Sequence, residues 1–175
     1  MILSLKQNEA DFDKMSDESS DLVQISGETR ISVNVQQITS RFQSIQSTAK
    51  AVTDHQAYLE KFKQASAWLA NAQSRYAKCC DARGSRQEVE GQQVVLRELL
   101  GEQGTAAQLV NTTVELGEKL YPSTAADGRE AVRMQLEELQ QALEALLDDV
   151  SATDKKLHDK ISRVLKYKPG FGLLI

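Results

Sequence analysis

Proline, aromatic residues and cysteine are all scarce in this sequence, and each shortage argues against a class of structure or of binding site. The 175 residues include two prolines, and aromatics make up 5% of the chain. Few prolines and abundant Gln, Glu, Ala and Leu are typical of long helices. The two cysteines are the adjacent pair Cys79 and Cys80. They complete no Cys or Cys/His metal-binding motif, and such sparse cysteine usage suits a reducing compartment.

Long apolar runs and clustered positive charge are also missing. No apolar run approaches the roughly 18 to 20 residues that a membrane-spanning helix requires, and the apolar start at residues 1–5 is too short for a signal peptide. The net charge is −4, and Lys and Arg form no cluster of the kind that binds a phosphate backbone. We therefore predict a cytoplasmic protein that binds no nucleic acid and inserts into no membrane.

Groups suited to enzyme chemistry are equally few. His55 and His158 lie far apart in polar stretches and are predicted to be surface residues. The acids of residues 137–149 spread around a helix, which predicts a solvated face rather than a cation site. Residues 101–104 (GEQG) are not a phosphate-binding loop, because no strand precedes them and no Lys-Ser/Thr follows. We predict no enzyme, no cofactor, and no catalytic, cofactor-binding or metal-binding residue.

What the sequence does contain is heptad spacing, most clearly near its C-terminal end. From Val132 to Leu157, apolar residues recur at alternating steps of four and three, which predicts a long amphipathic helix. Asp127 with Glu130 three residues later has the pattern of a capping box, so Asp127 is predicted to be the N-cap. The seam consists of Val132, Leu136, Leu139, Leu143, Leu146, Val150, Thr153 and Leu157.

A second seam lies earlier in the chain, over residues 58–79. It has the same steps of four and three, and Trp68 beside Leu69 widens its apolar face. A face that wide predicts packing against two neighbouring helices, since a two-stranded coiled coil needs only a narrow seam. Residues 81–85 (DARGS) then break the pattern as a helix-to-helix loop does.

The middle helix is predicted over residues 86–120, where apolar residues come in doublets. Gly101 and Gly104 lie inside it. Each glycine costs about 1 kcal/mol relative to Ala in a helix. We therefore expect a weak or kinked turn at this point, sustained by tertiary packing, in preference to the alternative of a functional hinge.

The N-terminal third repeats the pattern of the last helix at an offset of 101 residues. Taken alone, residues 29–36 alternate as a β-strand does. The offset overrules that interpretation, because the seam over residues 31–52 matches the later one step by step and Ser26 takes the place of the cap Asp127. We predict a helix that runs unbroken into the next one, preceded by the end of another helix over residues 1–20. The matched pairs are Gly27 with Gly128, Ile31 with Val132, Val35 with Leu136, Ile38 with Leu139, Phe42 with Leu143, and Ile45 with Leu146.

A repeat of about 101 residues with helices that run across its boundary resembles the spectrin repeat. Trp68 and Leu69 stand where the first helix of that family usually carries a Trp followed by an aliphatic residue. The lead-in at residues 128–130 (GRE) is similar to the start of third helices in nesprins, the giant nuclear-envelope members, with muscle forms the nearest. Dystrophin, spectraplakins and spectrin itself stay open as alternatives. Two positions depart from the pattern: Leu143 stands where many members have Trp, and Pro169 stands 101 residues after Trp68. Proline cannot continue a helix, so we expect no third unit to begin there.

The resemblance implies an all-α fold, a left-handed three-helix bundle joined by a continuous helix to part of a preceding repeat. It predicts the C-terminal part of that preceding repeat, then one complete repeat, then a tail. The predicted bounds are residues 1–53, with a third helix at about 27–53; residues 54–165, with helices at about 54–80, 86–120 and 128–165; and residues 166–175.

For function, the resemblance implies a structural rod or spacer module of a large cytoskeletal linker or scaffold that connects the actin cytoskeleton with the nuclear envelope. Its partners would be neighbouring spectrin repeats and, through the parent molecule, cytoskeletal or nuclear-envelope proteins, with the outer nuclear membrane reached in the same way. The calponin-homology pair and the membrane-spanning tail of nesprins have no match here, so neither activity carries over. Two alternatives stay open: a protein-binding module within the rod, and a free bundle that dimerises through the exposed seam of Ile38, Phe42 and Ile45.

Overall fold

The computed structural model describes residues 8–27, 29–80 and 85–166, and nearly all of them are helical. Residues 29–36 belong to a helix, so the decision against a strand there is confirmed. Pro169 and almost all of the predicted tail, residues 166–175, lie outside the described residues. In the described ranges the helices are α1, Glu9–Ser26; α2, Thr29–Cys79; α3, Arg86–Gly101; α4, Gln103–Glu118; and α5, Ala126–Lys166, with a 3-10 turn at Tyr121–Ser123.

The chain divides into two compact units, residues 1–56 and 57–175. The boundary falls inside α2, a single helix of 51 residues. The predicted continuous helix across the boundary is therefore confirmed. The assignment of residues 1–53 and 54–165 to a partial and a complete spectrin repeat stays a prediction.

The core of the second unit consists of three successive clusters, each with residues from α2, from the middle arm over residues 86–120, and from α5. Residue numbers rise along α2 and α5 and fall along the middle arm, so neighbouring arms are antiparallel. The predicted all-α, up-down-up bundle of spectrin-repeat type is confirmed, while its left-handedness stays a prediction. The clusters are Tyr58, Leu120, Val132 and Leu136; then Ala65, Ala106, Val110, Leu139 and Leu143; then Ala72, Cys79, Val89, Leu96, Leu99, Leu146, Val150 and Leu157.

The predicted seam of α5 faces this core along its whole length. Its seven apolar positions are buried, and the polar member, Thr153, makes a 3.1 Å hydrogen bond between its hydroxyl and that of Tyr76 on α2. Gly117 lets α4 approach α5 closely, because a Cβ at that position would lie 2.7 Å from Cδ1 of Leu136. The wide face predicted for Trp68 and Leu69 is confirmed, since both pack against two of the clusters.

Two predicted helix caps and one predicted equivalence are wrong. Ser26 is the last residue of α1 and not the N-cap of α2; its hydroxyl donates to the carbonyl four residues earlier. Gly27 follows with φ 67°, a left-handed conformation that ends α1 at low cost because glycine has no Cβ. Asp127 lies in the first turn of α5, which begins at Ala126. Gly128 lies inside that helix, so Gly27 and Gly128 are not structural counterparts.

The middle arm is two helices and not the single helix predicted over residues 86–120. A turn at Glu102 separates α3 from α4, and α4 ends at Glu118. The expected weak turn is therefore present, but packing does not require its glycines: a Cβ at Gly101 or Gly104 would meet nothing within 4 Å. The arm begins with a capping box between Ser85 and Glu88 that was not predicted.

Candidate functional site

An apolar stripe lies exposed along the first half of α2. Ile38, Ile45 and Val52 recur every seven residues, and about half of each side chain is accessible to solvent. Residues seven apart lie two turns apart on one face of a helix. We call these three residues the N-terminal stripe. It is the part of the predicted seam that no other described segment of the first unit buries.

At Phe42 the same seam is partly covered by α1. The rings of Phe12 and Phe42 stack with their centroids 4.0 Å apart and their planes 16° apart. Ala49, one heptad beyond Phe42, is buried. The two helices are joined by the turn at Gly27, so α1 folds back against one side of α2. This explains why Phe42 is half-buried while its seam neighbour Ile45 is exposed.

Charge distinguishes the two helices of the first unit. Residues 29–53 contain Arg30, Arg41 and Lys50 and no acidic residue, whereas α1 has six acidic residues and one Lys. Opposite net charges favour the pairing of α1 with α2, although each exposed ion pair contributes little by itself. The faces beside the N-terminal stripe are therefore neutral to basic.

In the second unit, a carboxylate joins the break in the middle arm to α2. The Glu102 carboxylate accepts a hydrogen bond from the Trp68 indole N–H at 3.2 Å and one from Nη1 of Arg75 at 2.8 Å. The other terminal nitrogen of Arg75 lies 3.5 Å from Oε2 of Glu98. Trp68 and Arg75 are seven residues apart on one face of α2. We call Glu102, Trp68 and Arg75 the clamp.

The electrostatics of the clamp keep Glu102 ionised. The hydrogen bond from the Arg75 guanidinium has the largest effect and lowers the pKa of the Glu102 carboxyl. Burial opposes it by a smaller amount, and the indole N–H of Trp68 lowers the pKa further. Both oxygens are committed to donors on α2, which leaves the group poorly suited to proton transfer. The chemistry of the clamp is therefore structural: it fixes the helix break against the first arm.

The residues considered for catalysis or metal binding are dispersed. His55 and His158 are exposed, as predicted. No three His, Cys, Asp or Glu side chains in the described part of the chain come together as a metal site would require. The described helices include none that is long and apolar enough to cross a membrane. The acidic residues considered for cation binding are all exposed: Glu137, Glu138, Glu144, Asp148 and Asp149.

The adjacent cysteines have different surroundings. Cys79 is buried in the core, and Cys80 is exposed with its thiol donating to the carbonyl of Tyr76 at 3.3 Å. Burial, with the neighbouring Cys80 adding to it, raises the pKa of the Cys79 thiol. A raised pKa reduces the thiolate fraction and with it the reactivity of Cys79.

The clamp was not predicted from the sequence, although part of its signal is visible there. Glu102 lies between Gly101 and Gly104 in the middle of the predicted helix. The glycines indicate a weak turn, but they give no hint that Glu102 meets Trp68 and Arg75. That pairing depends on the axial alignment of the middle arm with α2, which only the packing of the three arms determines.

The sequence has a clear relative. Over 170 residues, covering 91% of this chain, it is 55% identical to Muscle-specific protein 300 kDa of Drosophila melanogaster, a large nesprin-like muscle protein. The chain is similar to a nesprin-like spectrin-repeat protein. The predicted resemblance is thereby confirmed. The aligned region includes residues of both units, because only a small part of the chain is left unmatched. The chain spans about 1% of the length of that relative. No family model and no solved structure matches the chain.

Proposed function

We propose that this chain is a structural rod or spacer module of a large cytoskeletal linker or scaffold protein, in which spectrin repeats connect the actin cytoskeleton with the nuclear envelope. The observation that supports this most is the 55% identity to a nesprin-like muscle protein of which the chain spans about 1%. A segment that small contributes length and spacing to such a molecule. Its partners are then neighbouring repeats and, through the parent molecule, cytoskeletal or nuclear-envelope proteins.

The course of α2 supports a mechanical role. Residues 29–79 form one helix that belongs to both units, and at about 1.5 Å per residue it is about 75 Å long. A helix shared by two units transmits tension through its own backbone hydrogen bonds, with no loop between the units to extend first. The second unit then resists that tension through the packing of its three arms.

The side chains also favour a structural role over an enzymatic one. The polar groups with the most specific partners, those of the clamp, are used to hold helices together. Residues of this kind position a backbone and do not need to meet a substrate. We accordingly place the protein in the cytoplasm with the cytoskeleton, and at the outer nuclear membrane only through its parent molecule.

Small-angle X-ray scattering combined with light scattering tests the spacer role. A spacer is expected to scatter as an elongated monomer, and a compact globular monomer would contradict the proposal. Sequencing of the full-length transcript tests the rest: upstream units of about 101 residues are expected. A transcript that encodes these residues without any further repeat would exclude a rod.

The N-terminal stripe favours a second candidate function, self-association of two copies through the first half of α2. Seven-residue spacing of exposed aliphatic residues is the pattern of a coiled-coil seam. Light scattering over a range of concentrations is expected to show a dimer that Ile45→Gln abolishes. Val94→Gln is the matched control, because Val94 is equally exposed but lies on α3. A monomer at all concentrations, or equal effects of the two variants, would exclude this candidate.

A further inference from the structure

The turn at Glu102 divides the middle arm at the point where the core itself changes. Leu96 and Leu99 on α3 belong to one buried cluster, and Ala106 and Val110 on α4 belong to the next. The Glu102 N–H is shared between the carbonyls of residues 98 and 99, at 3.0 and 3.2 Å. Shared bonds of this kind are common where a helix ends. The regular helical hydrogen bonding of the middle arm is thus interrupted between two buried clusters.

The glycines beside this turn weaken it without a packing benefit. A Cβ at Gly101 or Gly104 would meet no atom within 4 Å, and neither has a positive φ. Gly117 on the same arm is the contrast, because a Cβ there would meet the buried Leu136 and Tyr58 at 2.7 and 3.2 Å. Close packing therefore explains Gly117, whereas Gly101 and Gly104 only lower the helix propensity around Glu102.

The clamp is placed to offset this weakness. Its carboxylate bridges two donors on α2, and one of them, Trp68, packs against both core clusters that meet at the turn. Arg75 and Glu102 are each partly shielded from solvent. Hydrogen bonds between charged groups contribute more when water is partly excluded. The Glu102 side chain therefore links the weak turn to Trp68, the residue that packs against both buried clusters.

We propose that the turn at Glu102 is a hinge at which the second unit opens locally, and that the clamp is the latch that keeps this hinge closed. Opening releases the Glu102 carboxylate from Trp68 and Arg75 and frays the adjacent ends of α3 and α4. The two core clusters stay packed on either side. The hinge and the clamp lie in the second unit alone. This proposal does not depend on the proposed rod function.

Amide hydrogen exchange measured by mass spectrometry on the full chain tests the hinge. Glu102→Ala removes both bonds and is expected to speed exchange in residues 98–106 roughly tenfold, and Glu102→Gln, which keeps an acceptor for the indole, roughly threefold. Exchange in residues 109–118 should stay unchanged. Glu115→Ala, an exposed glutamate of the same arm, is the matched control. Equal acceleration in both segments, or none in residues 98–106, would overturn the proposal.

A stabilising variant keeps the test decisive even where loss of the clamp unfolds the unit. Replacing both Gly101 and Gly104 with Ala is expected to slow exchange in residues 98–106 about tenfold, because each substitution adds helix propensity in open space. Trp68, the single tryptophan, reports on the latch: its emission should shift to longer wavelength in Glu102→Ala and not in Glu115→Ala. Unchanged exchange in the double-alanine variant would show that the turn is not a hinge.

Discussion

The seams over residues 31–52 and 132–157 have the same spacing but differ in exposure. Ile38 and Ile45 are 47% and 55% exposed, whereas Leu139 and Leu146, their counterparts 101 residues later, are each 5% exposed. The later seam has two arms against it. The earlier seam has one described neighbour in its own unit, α1, which covers only the Phe42 side. Heptad spacing thus determines which residues are able to be buried together, and the number of neighbouring helices determines whether they are.

The largest effect should come from removing the side chain that covers the buried seam. Trp68→Ala is expected to lower the free energy of unfolding of the second unit by about 3 to 5 kcal/mol, because Trp68 packs against two core clusters. Urea unfolding followed by circular dichroism measures the loss. Val94→Ala, at an exposed position of α3, serves as the control and should change little. A Trp68→Ala protein as stable as the wild type would contradict the assignment of Trp68 to the core.

A matched pair of substitutions tests the comparison directly. Leu146→Ala should lower the free energy of unfolding by about 2 to 4 kcal/mol, since it leaves a cavity among close-packed side chains. Ile45→Ala, its counterpart, should change it by about 0.5 kcal/mol or less, because an exposed side chain leaves no cavity. Urea unfolding monitored by Trp68 fluorescence and circular dichroism compares them. Similar losses for the two variants would mean that the earlier seam is covered after all.

The glycine that precedes the earlier seam gives a smaller effect. Gly27→Ala should destabilise the turn between α1 and α2 by about 1 kcal/mol, because Gly27 has φ 67° and a Cβ is strained there. Amide exchange in the flanking helix ends should quicken accordingly. Gly91→Ala is the control, since Gly91 lies in α3 with open space around it and a Cβ there improves helix propensity. An equal change in amide exchange in the two variants would contradict this prediction.

The smallest effect should be the response of the clamp to acid. The earlier seam has no counterpart of Glu102, because residues 29–53 contain no acidic residue. The Arg75 guanidinium lowers the pKa of Glu102 in the folded state. The contribution of Glu102 to stability is therefore complete above the ordinary carboxyl range and is lost as the pH falls through the lowered folded-state pKa. Titration of Trp68 fluorescence in the native protein should show a step below the usual range of glutamate. The step should vanish in Glu102→Gln, and its persistence there would assign it to another group.

Much of this architecture is predictable because it depends on local pattern. The alternation of four and three steps identified every position of the α5 seam, and the 101-residue offset correctly replaced a strand with a helix in residues 29–36. Helix ends were predicted less well. Ser26 and Asp127 both have side chains that favour an N-cap, yet one ends α1 and the other lies inside α5. The capping preference of a residue shows that it is able to act as an N-cap. The tertiary structure determines the residue at which the helix begins.

Local sequence pattern accounts for the helical fold, the residues able to form each seam, and the weak point at Gly101 and Gly104, because spacing and helix propensity are properties of neighbouring residues. The burial of Leu139 but not Ile38, and the contact of Glu102 with Trp68 and Arg75, depend instead on how the helices pack. Burial requires a second surface, and a hydrogen bond between arms requires a particular alignment of one helix along another. Neither is set by residues close together in the chain.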